Sequence, residues 1–128
     1  MAKKLFECGV LPYYAQIEFG DPEAEAYPQW ETGEELAVAA DDLVAVGTQP
    51  RLDRSVGIEV WTGKVQPLPA LLWEGHVGLA GDEAVVGSRV GNALHRIRIG
   101  RGRHRLRVWG DVAPRPSRIA FVLADGGR

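Results

Sequence analysis

The chain has a single cysteine, Cys8, so no disulfide can form within it. No apolar run approaches the roughly 20 residues that a membrane-spanning helix needs, so no membrane span is expected. The sequence also lacks the short signatures of familiar chemistry. It has no G-x-x-x-x-G-K-[ST] phosphate loop, no G-x-S-x-G elbow and no H-E-x-x-H pair. No segment sustains the 3.6-residue apolar period over three turns, which leaves little room for amphipathic helices. Lysine occurs only at Lys3, Lys4 and Lys64, whereas arginine is plentiful, a usage expected of a GC-rich bacterial genome.

What remains is a chain of 128 residues, 45% hydrophobic and 25% charged, with a net charge of -2. That is enough for one core, and residues 1–128 read as a single domain. So many apolar residues and so little net charge exclude a disordered chain. The start, Lys3-Lys4-Leu5-Phe6-Glu7, resembles the basic end of a secretory signal, but Glu7 interrupts it and no long apolar stretch follows. With a lone thiol, the expected compartment is the cytoplasm.

The small net charge conceals a polar layout. Residues 1–50 carry ten carboxylates against two lysines, net -8; residues 89–128 carry ten arginines against two aspartates, net +8. Either the two ends neutralise one another in the fold, or they face different partners.

Apolar residues alternate in short runs between Gly, Pro and Asp breaks, the pattern of strands. The runs are 14–19, 36–39, 43–47, 55–62, 71–79, 84–87, 94–99, 103–109 and 119–123. Residues 20–35 read as a long acidic loop with one helical turn. The expected fold is all-β: an antiparallel sandwich, jelly-roll-like, of about eight short strands. The run 119–123 is apolar on both faces and belongs inside a sheet. A solvent-exposed edge strand at 84–90 would support a homodimer.

Gly100-Arg101-Gly102 reads as a hairpin turn. It would place Arg96, Arg98, Arg103, Arg105 and Arg107 on one outward face, with Trp109 at its end and His104, Leu106 and Val108 inward. Five guanidinium groups beside an indole suit a polyanion or nucleic acid. A second candidate surface is the acidic loop, through Asp21, Glu23, Glu25 and Glu31, which imitates a nucleic-acid backbone toward a basic cleft. His76, His95 and His104 have no carboxylate or third ligand close in sequence, so no metal is expected. The pairs Glu34-Glu35, Asp41-Asp42 and Asp82-Glu83 read as solvated loop charge, because neighbours on a strand point to opposite faces. Cys8 has no local partner for nucleophilic work. No catalytic residue and no cofactor are expected. Trp30, Trp61, Trp73 and Trp109, with Tyr13, Tyr14 and Tyr27, read as core and end-capping aromatics rather than a sugar platform.

The order of these features resembles a family. Tyr13-Tyr14 on a strand is followed by Tyr27-Pro28-Gln29-Trp30 in an acidic loop, the run Leu43 to Val46, Ile58-Glu59-Val60-Trp61, and Arg105-Leu106-Arg107-Val108-Trp109. Over about residues 13–110 this is similar to small bacterial β-sandwich proteins related to competence protein J, an inhibitor of a DNA-entry nuclease. The resemblance implies a non-enzymatic protein that acts by binding a protein partner, and it supplies no site residue. The arginine content and the Pro114-Arg115-Pro116 loop depart from it. The expected function is therefore a cytosolic protein-binding regulator of inhibitor or immunity type. The alternatives are a polyanion- or nucleic-acid-binding module, and a carbohydrate-binding module or small enzyme.

Overall fold

The computed structural model describes residues 2–12, 15–49, 55–88 and 93–124. Ten strands follow in chain order: β1 (Lys3–Val10), β2 (Gln16–Gly20), β3 (Ala37–Ala39), β4 (Leu43–Gly47), β5 (Val56–Thr62), β6 (Ala70–Leu79), β7 (Glu83–Ser88), β8 (Ala93–Arg98), β9 (Gly102–Gly110) and β10 (Arg118–Leu123). They form two five-stranded sheets. Sheet I has the order β1-β5-β10-β9-β6, and sheet II the order β3-β4-β2-β7-β8. All pairings are antiparallel except β5 with β10, which is parallel. The all-β sandwich expected from the alternating runs is what forms.

Alternation decides the core. Sheet II contributes Ile17, Phe19, Val44, Val46, Ala84, Val86 and Ile97; sheet I contributes Val56, Ile58, Val60, Leu106, Val108, Ile119, Phe121 and Leu123. Phe19 and Phe121 stack across the two sheets with ring centroids 5.0 Å apart. Each such ring removes some 150–250 Å² from water, the largest single contributions to the core. β10 lies between β5 and β9, as its two apolar faces require: Ala120 is fully buried and Val122 is 5% exposed, although both point away from the main core.

Four expectations change. The arginine-rich hairpin does not form. β8 pairs with β7 in sheet II, while β9 pairs with β6 and β10 in sheet I, so the segment around Gly100 crosses between the sheets. The N–H groups of Ile99 and Gly100 both donate to the carbonyl of Asp82, and Gly100 and Gly102 take positive φ. Inward alternation is the same for two strands facing each other across a core as for two strands side by side, so the pattern alone favoured the shorter connection. Second, β7 is not an edge strand. It sits between β2 and β8, and the edges are β1, β6, β3 and β8; residues 89 and 90 lie outside the described residues. Third, β1 was not anticipated, since its lysines and Glu7 read as a failed signal. Fourth, the acidic loop contains no helical turn among its described residues. Tyr13 and Tyr14 lie outside the described residues.

Candidate functional site

The acidic loop, residues 21–36, is built onto the outer face of sheet II rather than hanging from it. Ile17 and Phe19 point into the core, so Gln16 and Glu18 point outward. Glu18 is nevertheless only 1% exposed. The Tyr27 hydroxyl donates to the Glu18 carboxylate at 2.8 Å, the Gln16 amide donates to the same oxygen at 2.8 Å, and the Trp30 indole N–H donates to Gln16 Oε1 at 3.1 Å. At the loop's start, Asp21 accepts from the backbone N–H groups of Glu23 and Ala80. At its end, Gly47 N–H donates to the carbonyl of Leu36.

The far end of the loop is closed by Glu35. Its carboxylate accepts from the backbone N–H groups of Glu31, Thr32 and Gly33 and from the Thr32 hydroxyl. Its own backbone N–H and those donors hold the carboxyl down at about 2, against an ordinary 4.5. The result is a fixed strap that presents Glu23, Glu25, Glu31 and Glu34 to solvent. Asp21, grouped with them by sequence, is 3% exposed and spent on internal hydrogen bonds.

Beside the strap lies a cleft of about 620 Å³, within the size range of ligand sites. Trp30, Glu34 and Leu36 come from the strap, Leu72 from β6, and Pro114, Arg115 and Pro116 from the connection between β9 and β10. That connection is held by Asp111, which accepts from the Ser117 hydroxyl at 2.6 Å and from the N–H groups of Val112, Ser117 and Arg118. Partial burial raises the Asp111 carboxyl, but these donors outweigh it and the net shift is downward. Ala15 (φ 54°) and Arg115 (φ 60°) are the only non-glycine residues with positive φ among those described, and both line the cleft. Such backbone costs roughly 1–2 kcal/mol per residue, and it concentrates where a binding surface has to be shaped.

The arginines are divided between two faces of the molecule. Arg96 and Arg98 point outward from sheet II, where Arg96 pairs with Glu83 at 3.2 Å. Arg103, Arg105 and Arg107 point outward from sheet I, where Glu74 Oε2 accepts from Arg105 and from Arg107 at 3.0 Å each. The Arg107 and Arg105 guanidinium groups draw the Glu74 carboxyl below its ordinary value. On the same face Arg118 pairs with Glu59, Glu59 accepts from the Trp61 indole, and Lys4 lies over the Trp61 ring. Trp109 is half-buried there, and its indole nitrogen is enclosed without a hydrogen-bond acceptor.

The histidines do not converge. His76 is exposed on sheet I, and His95 packs against Phe6 at the seam between β1 and β8, centroids 5.2 Å apart. His104 is buried, with Nε2 2.7 Å from the carbonyl of Gly100, where it ties β9 to the crossing segment. Cys8 is half-buried in β1, which pushes its thiol up.

Sequence reasoning missed Gln16, Glu18, Glu35 and Arg115. Only Glu35 carried a local signal: Thr32-x-x-Glu35 has the spacing of a capping box, here clipping a loop instead of starting a helix.

No protein-family model matches the chain, and no curated protein matches it. Solved structures do. The chain is similar to ComJ from Bacillus subtilis, an inhibitor of the DNA-degrading activity of NucA, with a TM-score of 0.70 and 11% identity over 97% of this chain and 98% of that one. It is also similar to the product of crocagin biosynthetic gene J, with a TM-score of 0.62 and 9% identity over 98% and 99% of the two chains. The resemblance to competence protein J therefore holds at the level of the fold, across nearly the whole chain.

Proposed function

We propose that the protein is a non-catalytic, cytoplasmic regulator that binds a basic protein partner, in the manner of a nuclease inhibitor. The observation that carries this reading is the strap. Glu23, Glu25, Glu31 and Glu34 are exposed on a loop whose conformation is set by Glu18, Gln16 and Glu35. A pre-ordered acidic surface loses little conformational entropy on docking and steers a positively charged partner toward it. The adjoining cleft, with Trp30 held by Gln16, offers a pocket for an anchoring side chain. The fold shared with ComJ, itself an inhibitor of a nuclease, supports the same reading.

The test uses a purified nuclease encoded beside this gene. DNA degradation is followed with and without an equimolar amount of the protein. Inhibition that disappears in Glu23→Lys/Glu25→Lys/Glu31→Lys supports the proposal. Inhibition unaffected by the charge reversal removes the strap from it, and no binding to any such nuclease removes the reading itself.

A further inference from the structure

On the opposite side of the molecule, the outer face of sheet I holds a second depression of about 170 Å³, lined by Gly63, Lys64, Val65, Arg105, Arg107, Val122 and Ala124. Its floor is aliphatic, because Val122 is 5% exposed beneath its neighbours. Its walls are cationic. Lys64 makes no ion pair among the described residues, while Arg105 and Arg107 share one carboxylate oxygen of Glu74. Among the described residues, three positive side chains therefore face one negative one. The shared carboxylate also fixes the guanidinium groups: it engages Arg105 through one Nη and Arg107 through Nε, leaving the other donors of each group uncommitted. Among the described residues, the backbone N–H groups of Lys64 and Val65 have no acceptor. Gly63, with φ 105°, turns the chain at the rim without a side chain to fill the space.

We infer that this notch is a phosphate-binding site. Paired guanidinium donors, an ammonium group and free backbone N–H groups around a small hollow are the complement of a tetrahedral oxyanion. Its volume of about 170 Å³ admits a phosphate group. The same chemistry is presented by a free phosphate and by a phosphodiester backbone. The site is independent of the acidic strap, which lies on sheet II.

The experiment is a 1H–15N NMR titration of the whole chain with inorganic phosphate, at constant ionic strength set by sodium chloride. The Lys64 and Val65 amides and the Arg105 and Arg107 Nε–H signals are expected to shift together and saturate. Arg96 and Arg98 stay in place. Arg107→Gln weakens the apparent affinity about tenfold, the loss expected for one charge-assisted hydrogen bond, and its spectrum elsewhere reports that the fold is intact. A parallel titration with an eight-nucleotide single strand of dT separates the sources. Tighter binding than phosphate at the same signals assigns the site to a nucleic-acid backbone, and equal or weaker binding assigns it to a free phosphate. Shifts that do not saturate, or that spread over all the arginines alike, overturn the inference.

Discussion

The hydroxyl of Tyr27 reaches back across the acidic strap to the buried carboxylate of Glu18, at 2.8 Å. This one bond joins the most acidic stretch of the chain to the centre of sheet II. Removing it in Tyr27→Phe takes a donor from a carboxylate that is 1% exposed. The expected cost is about 1–2 kcal/mol, toward the lower end for hydrogen bonds to charged groups because Gln16 still donates. Urea denaturation measures the loss, and hydrogen exchange localises it. Amides of residues 22–36 should lose protection while those of β9 and β10 do not; unchanged exchange in the strap would show that the bond does not hold it.

Glu35 gives the strap a pH dependence of definite sign. Its carboxyl is depressed to about 2 in the folded chain, against an ordinary 4.5. The ordering it provides is therefore complete above pH 4.5 and fades as the pH falls from there through 2. Carboxyl 13C shifts of Glu35 followed from pH 6 to pH 2 should report the depressed midpoint. Glu35→Gln should lose that transition and loosen residues 31–35 above pH 4.5, where the parent clip is complete. A midpoint near 4.5 would contradict the clip.

The Phe19–Phe121 stack predicts the largest single loss. Both rings are fully buried, and they meet from opposite sheets. Phe121→Ala should cost about 3–5 kcal/mol, from lost transfer energy and the cavity left behind. Against a total stability on the order of 5–15 kcal/mol, the variant should show a sharply reduced denaturation midpoint. A loss below about 1 kcal/mol would mean that the two sheets repack freely.

A smaller substitution tests a close approach. A Cβ on Gly75 would lie 2.5 Å from the indole of Trp73, which covers that position on the inner face of β6. Gly75→Ala must displace the ring, at about 1–3 kcal/mol as overpacking, with a change in near-ultraviolet circular dichroism. An unchanged aromatic spectrum would place the indole elsewhere.

His104 is expected to be structural. Its Nε2 lies 2.7 Å from the Gly100 carbonyl at the passage from β8 to β9. His104→Ala leaves that carbonyl without its partner and a void beneath β9, for about 2–3 kcal/mol. Thermal melting measures it; a melt indistinguishable from that of the parent would show that the crossing holds itself.

The sandwich was legible because period-2 alternation survives in Ile58, Val60, Leu106 and Val108 whichever strands they pair with. Pairing itself was not legible. Ile97 and Leu106 are both inward and a few residues apart, which fits a hairpin as well as two sheets facing each other. β1 was hidden because Lys3, Lys4 and Glu7 are polar and exposed, as on an edge strand. Of the strap, the charge was visible but the anchoring was not. Gln16 and Glu18 look like ordinary outward residues until Tyr27 and Trp30 fold over them. Arg115 and Lys64 sit in loops, and only the packing of distant segments gives them neighbours.

The parallel pairing of β10 with β5 has a consequence for how the chain assembles. β5 and β9 are not hydrogen-bonded to each other; β10 fills the space between them, and it follows the other nine strands among the described residues. During synthesis, sheet I therefore waits as two unjoined halves, each with an open inner edge, until residues 118–123 arrive. Such late, non-local closure belongs to the slow end of folding, in milliseconds to seconds. It makes the last strand a keystone, and the interval before it is set is the period in which the chain is most exposed to self-association.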